Sequence, residues 1–212
     1  LKTSRGGSGN APALFCMTQT ELANIALGLL GAESITDFTE RTPAAEKVRR
    51  HWPLVRDTLL RSKAWNFATK RVSLSEDVDA TPIFDWTYAY ALPGDYLKAI
   101  EFNAKQAGTG EAEFEIAGRF LLADDDAAEL KYTCRLETVS EWDPSFQDAF
   151  AHALAAALAP GLSTASGLGM AMRQRAEEIA VQAAGPNSVE TRPRAVLAQT
   201  GSGWLKARNG IE

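Results

Sequence analysis

The chain has 212 residues, 45% of them hydrophobic and 23% charged, the balance of a soluble globular protein. That length suits one large domain or two small ones, at about 100–200 residues per domain, and buries enough surface to need neither a metal nor a disulfide staple. The formal net charge of -5 argues against a dedicated nucleic-acid binder, which would carry a clearly basic balance. The charge is also unevenly spread: Glu40 to Arg71 holds nine Lys/Arg against three Asp/Glu, and Val72 to Asp143 holds five against sixteen.

Residues Leu1–Cys16 are rich in Gly, Ser and Ala and read as a disordered extension without the long apolar core of a signal peptide. The first helix opens just after Met17. Thr18 and Glu21 form a T-x-x-E capping box, and Leu22, Ile25, Ala26, Leu29 and Leu30 follow at helical spacing with Gly31 as the stop. The second helix opens at Thr42-Pro43, a cap followed by proline at the first helical position. Val48, Trp52, Val55 and Leu59 line one face, and Arg49, Arg50, Arg56, Arg61 and Lys63 occupy the others. Pro53 lacks the N–H that would bond the Arg49 carbonyl, so a kink or break is expected there.

From about Phe67 the hydrophobic period falls to two. Trp86, Tyr88, Tyr90 and Leu92 alternate with smaller residues, as do Leu130, Tyr132, Cys134 and Leu136, the pattern of half-buried strands. Leu97–Asn103, Ala112–Ile116 and Phe120–Leu122 read as further strands, the last two joined by a turn at Ala117-Gly118-Arg119. Asp143-Pro144 restarts helix, with Phe146, Phe150, Leu154 and Leu158 on one face beside small alanines, and Pro160-Gly161 is the expected stop. A fourth helix is expected from about Ala165 to Ala184, with Leu168, Met172, Ala176, Ile179 and Ala183 on one face, ended by Gly185-Pro186. Asn187–Glu212 has no sustained period and reads as a tail that orders on a partner.

The predicted fold is therefore α+β: a four-helix bundle from N- and C-terminal helices, an inserted antiparallel β-rich domain and an extended C-terminal tail. Its divisions are residues 1–16 (extension), 17–66 and 143–185 (bundle halves), 67–142 (insert) and 186–212 (tail). The aromatic residues Trp52, Trp65, Phe67, Trp86, Tyr88, Tyr90, Phe146 and Phe150 are expected in the core of the bundle and sheet.

No catalytic pattern emerges. The two histidines, His51 and His152, stand far apart in sequence, and no C-x-x-C, H-E-x-x-H, G-x-S-x-G or phosphate-loop motif is present. Cys16 and Cys134 read as free thiols in a reducing compartment. Asp124-Asp125-Asp126 lacks the alternating ligands, central glycine and later Glu of a calcium loop and reads as solvated. Gly167-Leu168-Gly169 follows no strand and is no dinucleotide turn. The expectation is a non-enzymatic protein with no cofactor and no metal. Two surfaces are candidates for binding: the basic residues Arg49, Arg50, Arg56, Arg61 and Lys63, and the tail with Trp204 and Leu205 as apolar anchors among Arg192, Arg194, Lys206 and Arg208.

Several segments together resemble the tail tubular protein A family, the head-to-tail adaptors of short-tailed phages. These are TELANIALGLLGAESI, VRDTLLRSKAWNFATKRVSL, FDWTYAYALPGDYLKAIEF, GRFLLADDDAAELKYTCRLET, FQDAFAHALAAALA and the closing GSGWLKAR. The most specific parts are Trp65-Asn66-Phe67-Ala68 and Trp86-Thr87-Tyr88-Ala89-Tyr90-Ala91-Leu92-Pro93. The resemblance spans about residues 17–208, and members of that family begin at a methionine matching Met17. It implies a virion protein that forms a homo-oligomeric ring of about twelve copies between the portal protein and the tail nozzle protein, assembled in the host cytoplasm. Genomic DNA would pass through the lumen without sequence-specific binding. It also implies a helical bundle with a β-rich insert, and a tail directed to the portal; in such a ring Arg49, Arg50, Arg56, Arg61 and Lys63 are expected to form an inter-subunit basic face, with the acidic segment turned to a neighbour or to the channel. The alternative is a small nucleic-acid-binding or regulatory module that uses the basic helix 42–63.

Overall fold

The computed structural model describes residues 17–80, 85–110, 112–162 and 167–190, with 184–190 described by backbone alone. The fold is mixed α+β. Helices α1 (Gln19–Leu29) and α2 (Pro43–Ser62) come first. Seven strands follow: β1 (Thr69–Leu74), β2 (Tyr88–Ala91), β3 (Tyr96–Phe102), β4 (Lys105–Gln106), β5 (Glu115–Ala117), β6 (Phe120–Ala123) and β7 (Ala128–Cys134). Helices α3 (Pro144–Leu162) and α4 (Leu168–Glu190) close the order.

The helix ends follow their local chemistry. Thr18 and Glu21 make both bonds of the capping box at α1. At its other end Gly31 takes φ +68°, which lets its N–H reach the Gly28 carbonyl and the Ala32 N–H reach the Leu27 carbonyl, the paired closure of a Schellman motif. The buried stripe of α1 is Leu22, Ala23, Ala26, Leu27 and Leu30, with Leu29 half-buried and Ile25 42% exposed. Ile25 was expected inside; the observed stripe is set by contact with α3 and lies on the other side of the Leu22–Ala26 line.

Helix α2 is capped by the Thr42 hydroxyl, with Pro43 in its first turn. Of the kink or break expected at Pro53, the break does not occur: α2 is continuous through Pro53, which is exposed, and the fixed φ of proline is itself helical, so only one backbone bond is lost. Past Trp52 the buried line passes through Arg56 and Leu60, and Val55 and Leu59 are half-buried at its margin. The stops expected at Pro160-Gly161 and Gly185-Pro186 are also overrun, α3 reaching Leu162 and α4 Glu190.

Helix α3 is the centre of the helical part: α1, α2 and α4 each pack against it. Its alanines 149, 151, 155, 156 and 159 are buried with Phe146, Phe150, Leu154 and Leu158, since a helix covered on several sides needs small residues where neighbours approach. A Cβ on Gly169 would stand 3.1 Å from the Ala159 Cβ and 3.4 Å from the Ala156 carbonyl oxygen. The weak Gly-Leu-Gly motif thus serves the close approach of α4 to the end of α3. Trp52, Trp142, Phe146, Phe150 and Trp65 fill the core, some pairs edge to face, as Trp52–Phe150 at a ring-centroid distance of 4.6 Å and Trp65–Phe146 at 5.1 Å, and others stacked, as Trp52–Trp142 and Phe146–Phe150.

The strands form two antiparallel sheets, ordered β1-β7-β3-β4 and β2-β6-β5. Their facing residues make a second core of Tyr90, Leu92 and Leu121 from one sheet and Phe102, Leu130, Tyr132 and Cys134 from the other. β1 carries no strand expectation of its own in the sequence reading. β2 starts at Tyr88, leaving Trp86 half-buried before it, and the strand expected at Ala112–Ile116 is shortened to Glu115–Ala117. Ala117 pairs with Phe120, so the turn is the two residues Gly118 and Arg119, with Gly118 at φ +61° as a tight hairpin requires.

The two cores meet through apolar and polar contacts. Leu97 from β3, Leu136, Val139 and Trp142 pack on the helical core, although the sequence reading placed them all in the insert. Asp57 on α2 accepts from Arg56 Nε at 2.8 Å and from Arg135 Nη2 at 2.8 Å.

Candidate functional site

The basic helix was the first candidate surface. Its five named cations do not form one free face. Arg49 Nη1 donates to the Phe38 and Glu40 carbonyls at 2.7 Å each, pinning the loop that enters α2. Arg56 is 7% exposed and bonded to Asp57, with Glu137 at 3.7 Å. The Arg61 guanidinium donates to the Leu97 carbonyl, and Lys63 Nζ donates to the Ala180 carbonyl at 2.7 Å. Arg50 is exposed. Four of the five thus hold this chain together, because long cationic side chains reach carbonyls on neighbouring elements. Of the remaining cations of the basic segment, Arg41 and Arg71 are also exposed.

Part of the acidic segment, Asp124-Asp125-Asp126, forms the loop between β6 and β7. Tyr90 Oη donates to the Asp125 carbonyl at 2.6 Å, and the Thr87 backbone and hydroxyl donate to Asp124 at 2.9 and 2.8 Å. Asn103 ties this loop to the β3–β4 turn through Asp125, Ala127 and Glu129. Burial raises the Tyr90 phenol, with Glu76, Tyr88, Asp126 and Asp125 adding to it. Asp124, Asp125 and Asp126 are all exposed, and their contacts order the loop. Among the described residues no group of three or more His, Cys, Asp and Glu could hold a metal ion.

A third cluster lies where the sheet meets the helices, and no motif announced it. The Asp95 carboxylate accepts from Lys70 Nζ at 2.7 Å and from Tyr132 Oη at 2.9 Å. Burial alone would raise Asp95, but these two donors outweigh it and hold the carboxyl low. Tyr132 is pushed up by burial and by the Asp95 charge, and burial raises the Cys134 thiol. A thiol raised in this way is protonated at neutral pH and is a poor nucleophile. The chemistry of the cluster is charge neutralisation inside a fold. His152 Nδ1 sits 3.0 Å from the Asp148 carbonyl of its own helix.

The aromatic residues expected in the core are placed as follows. Trp52, Trp65, Tyr90, Phe146 and Phe150 are buried, and Phe67 and Tyr88 are half-buried against the two cores. Trp86 is half-buried outside both, its Nε1 donating to Glu115 at 3.1 Å. The tail residues Arg192, Arg194, Trp204, Leu205, Lys206 and Arg208, together with Leu1–Cys16, lie outside the described residues. Among the described residues no helix is long and apolar enough to cross a membrane. No family model matches the chain, and no curated protein matches it either.

Proposed function

We propose that the chain is a structural, non-enzymatic head-to-tail adaptor of a short-tailed phage, a ring subunit that joins portal to tail nozzle and extends the DNA channel. The observation that carries this reading is the co-occurrence, in chain order, of the Trp65–Ala68 and Trp86–Pro93 elements and the closing GSGWLKAR. An antiparallel β region between two pairs of helices is what that resemblance implies. Four helices sharing one core are compatible with the bundle of such a subunit.

In this reading the exposed acidic residues of the β region, Asp124-Asp125-Asp126 among them, face DNA or a neighbour. An acidic wall repels phosphate and lets DNA slide, the reverse of the counterion release that tightens a binder. The tail, with Trp204 and Leu205, docks on the portal. The alternative of a nucleic-acid module on helix 42–63 has less to stand on, since Arg49, Arg56, Arg61 and Lys63 are engaged within the chain.

Electron microscopy of virions tests the reading. A ring of about twelve copies between portal and nozzle is expected, and a monomer or dimer in the particle overturns it.

A further inference from the structure

Of the four sheet edges, one is covered by its own chain and one is very short. Glu76 bridges Tyr90, and the Asp77 N–H bonds the Ala89 carbonyl, which closes β2. β3 is flanked by β4, by the Ala107 N–H on the Ile100 carbonyl and by Arg61 on the Leu97 carbonyl. β4 spans two residues. Two edges stay open among the described residues: β1 on one sheet and β5 on the other.

β1 has neither the shortness, the proline nor the bulge that normally protect an edge, and its protection is the charge of Lys70 and Arg71 alone. It is six residues long, contains no proline, and pairs with β7 in unbroken register from Thr69↔Thr133 to Leu74↔Ala128. The cation on its inner face, Lys70, is neutralised by Asp95. On the outer face Arg71 stands directly opposite Lys131, an unfavourable like-charge pair. Glu101 takes the Lys131 ammonium, which leaves Arg71 exposed without a carboxylate partner among the described residues. β5 offers the complement. Glu115, Ile116 and Ala117 are all exposed, Ile116 at 36%, and Glu113 is exposed just before them. Trp86 engages one Glu115 oxygen and leaves the other open.

We propose that β1 of one copy pairs edge to edge with β5 of a second copy. The proposal rests on the ring reading above and supplies its subunit contact. Setting Arg71 opposite Glu115 places Glu113 on the same face, against Ser73 in antiparallel pairing or Thr69 in parallel pairing. The two edges are different patches of one molecule, so the contact is heterologous and propagates from copy to copy until it closes.

The test uses the full chain in sedimentation and mass photometry over a concentration series. Arg71→Glu and Glu115→Arg are each expected to weaken self-association about tenfold, and the two together in one chain, which reverses the facing pair, to restore it. Arg71→Glu also removes the clash with Lys131, so it raises the stability of the isolated subunit while weakening assembly, a pairing that general damage to the fold does not produce. Arg71→Cys with Glu115→Cys is expected to give a ladder of disulfide-linked oligomers on oxidation. Oligomers of the double-cysteine chain that fail to cross-link on oxidation, or self-association that ignores both charge reversals, overturn the edge pairing and leave the adaptor reading standing. A chain that stays monomeric throughout also overturns the pairing, whereas the adaptor reading is judged by the virion ring.

Discussion

Asn103 and Ala104 both adopt left-handed backbone, at φ 47° and 63°, in the two-residue turn between β3 and β4. Such a turn favours Asn-Gly, because an L side chain costs about 1–2 kcal/mol there. Asn103 recovers part of that through its bonds to Asp125, Ala127 and Glu129; Ala104 has no polar side chain to do so. Ala104→Gly is therefore expected to stabilise the protein by about 0.5–1 kcal/mol, read as a higher urea midpoint at unchanged slope. A second contrast concerns two buried tryptophans. Trp142 Nε1 donates to the Leu136 carbonyl at 3.2 Å, whereas Trp52 Nε1 has no partner among the described residues. Removing an unpaired N–H sacrifices no hydrogen bond, so Trp142→Phe should cost about 1 kcal/mol more than Trp52→Phe. Equal costs in denaturant unfolding would contradict that assignment.

The loop that joins α1 to α2 is organised around one carboxylate. Glu40 accepts from the Thr36 and Thr42 hydroxyls and the Thr36 N–H, which together lower its pKa from 4.5 to about 2. Asp37 is likewise lowered by the Thr39 hydroxyl and backbone, and Glu21 by the Thr18 backbone and hydroxyl. Each folded-state pKa lies below its unfolded value, so the stabilisation is present above about pH 4.5 and is lost as pH falls through the folded pKa. Glu40→Gln is expected to flatten the decline in stability between those limits, measured by urea unfolding at stepped pH. A wild-type decline that the substitution leaves intact would show that other carboxylates carry it. Thr42 serves twice, capping α2 through Ala45 and donating to Glu40, and its two tasks tie the start of α2 to the loop.

At the scale of the molecule, two apolar cores are joined by Leu136, which packs against both, and by the Arg56–Asp57–Arg135 ion group. This joint takes Arg56, Arg61 bonds the Leu97 carbonyl beside it, and Arg49 and Lys63 are bonded elsewhere within the chain. The purified chain is accordingly expected to bind duplex DNA no better than a neutral control protein at moderate salt, and tight, salt-sensitive binding in a mobility-shift assay would oppose the proposed role. Since α4 runs to Glu190, truncation belongs after that residue. The shortened chain should keep its circular dichroism and thermal midpoint yet fail to join the portal, and unchanged portal assembly would remove the docking role from the tail.

Local rules determined much of this protein. The Thr18/Glu21 box, the Thr42-Pro43 start, Gly31 and the Gly118 turn were all legible because each depends on residues within one or two turns of chain. The every-fourth-residue pattern of Phe146, Phe150, Leu154 and Leu158 likewise identified the helix that became the centre. Which side of α1 is buried, the passage of α2 through Pro53, and the employment of Arg49, Arg56, Arg61 and Lys63 depended on neighbours brought from elsewhere. Arg61 meets Leu97 and Lys63 meets Ala180 across separations of 36 and 117 residues. Asp57 and Arg135 are similarly joined across 78 residues. The sequence by itself established that the chain has a basic segment before an acidic one. Only the tertiary structure decided that the basic segment is largely consumed as internal mortar while the acidic one stays on the surface. The physical reason is reach: an Arg or Lys on a helix can bond any carbonyl the fold brings near, and periodicity along the chain carries no record of which carbonyl that is.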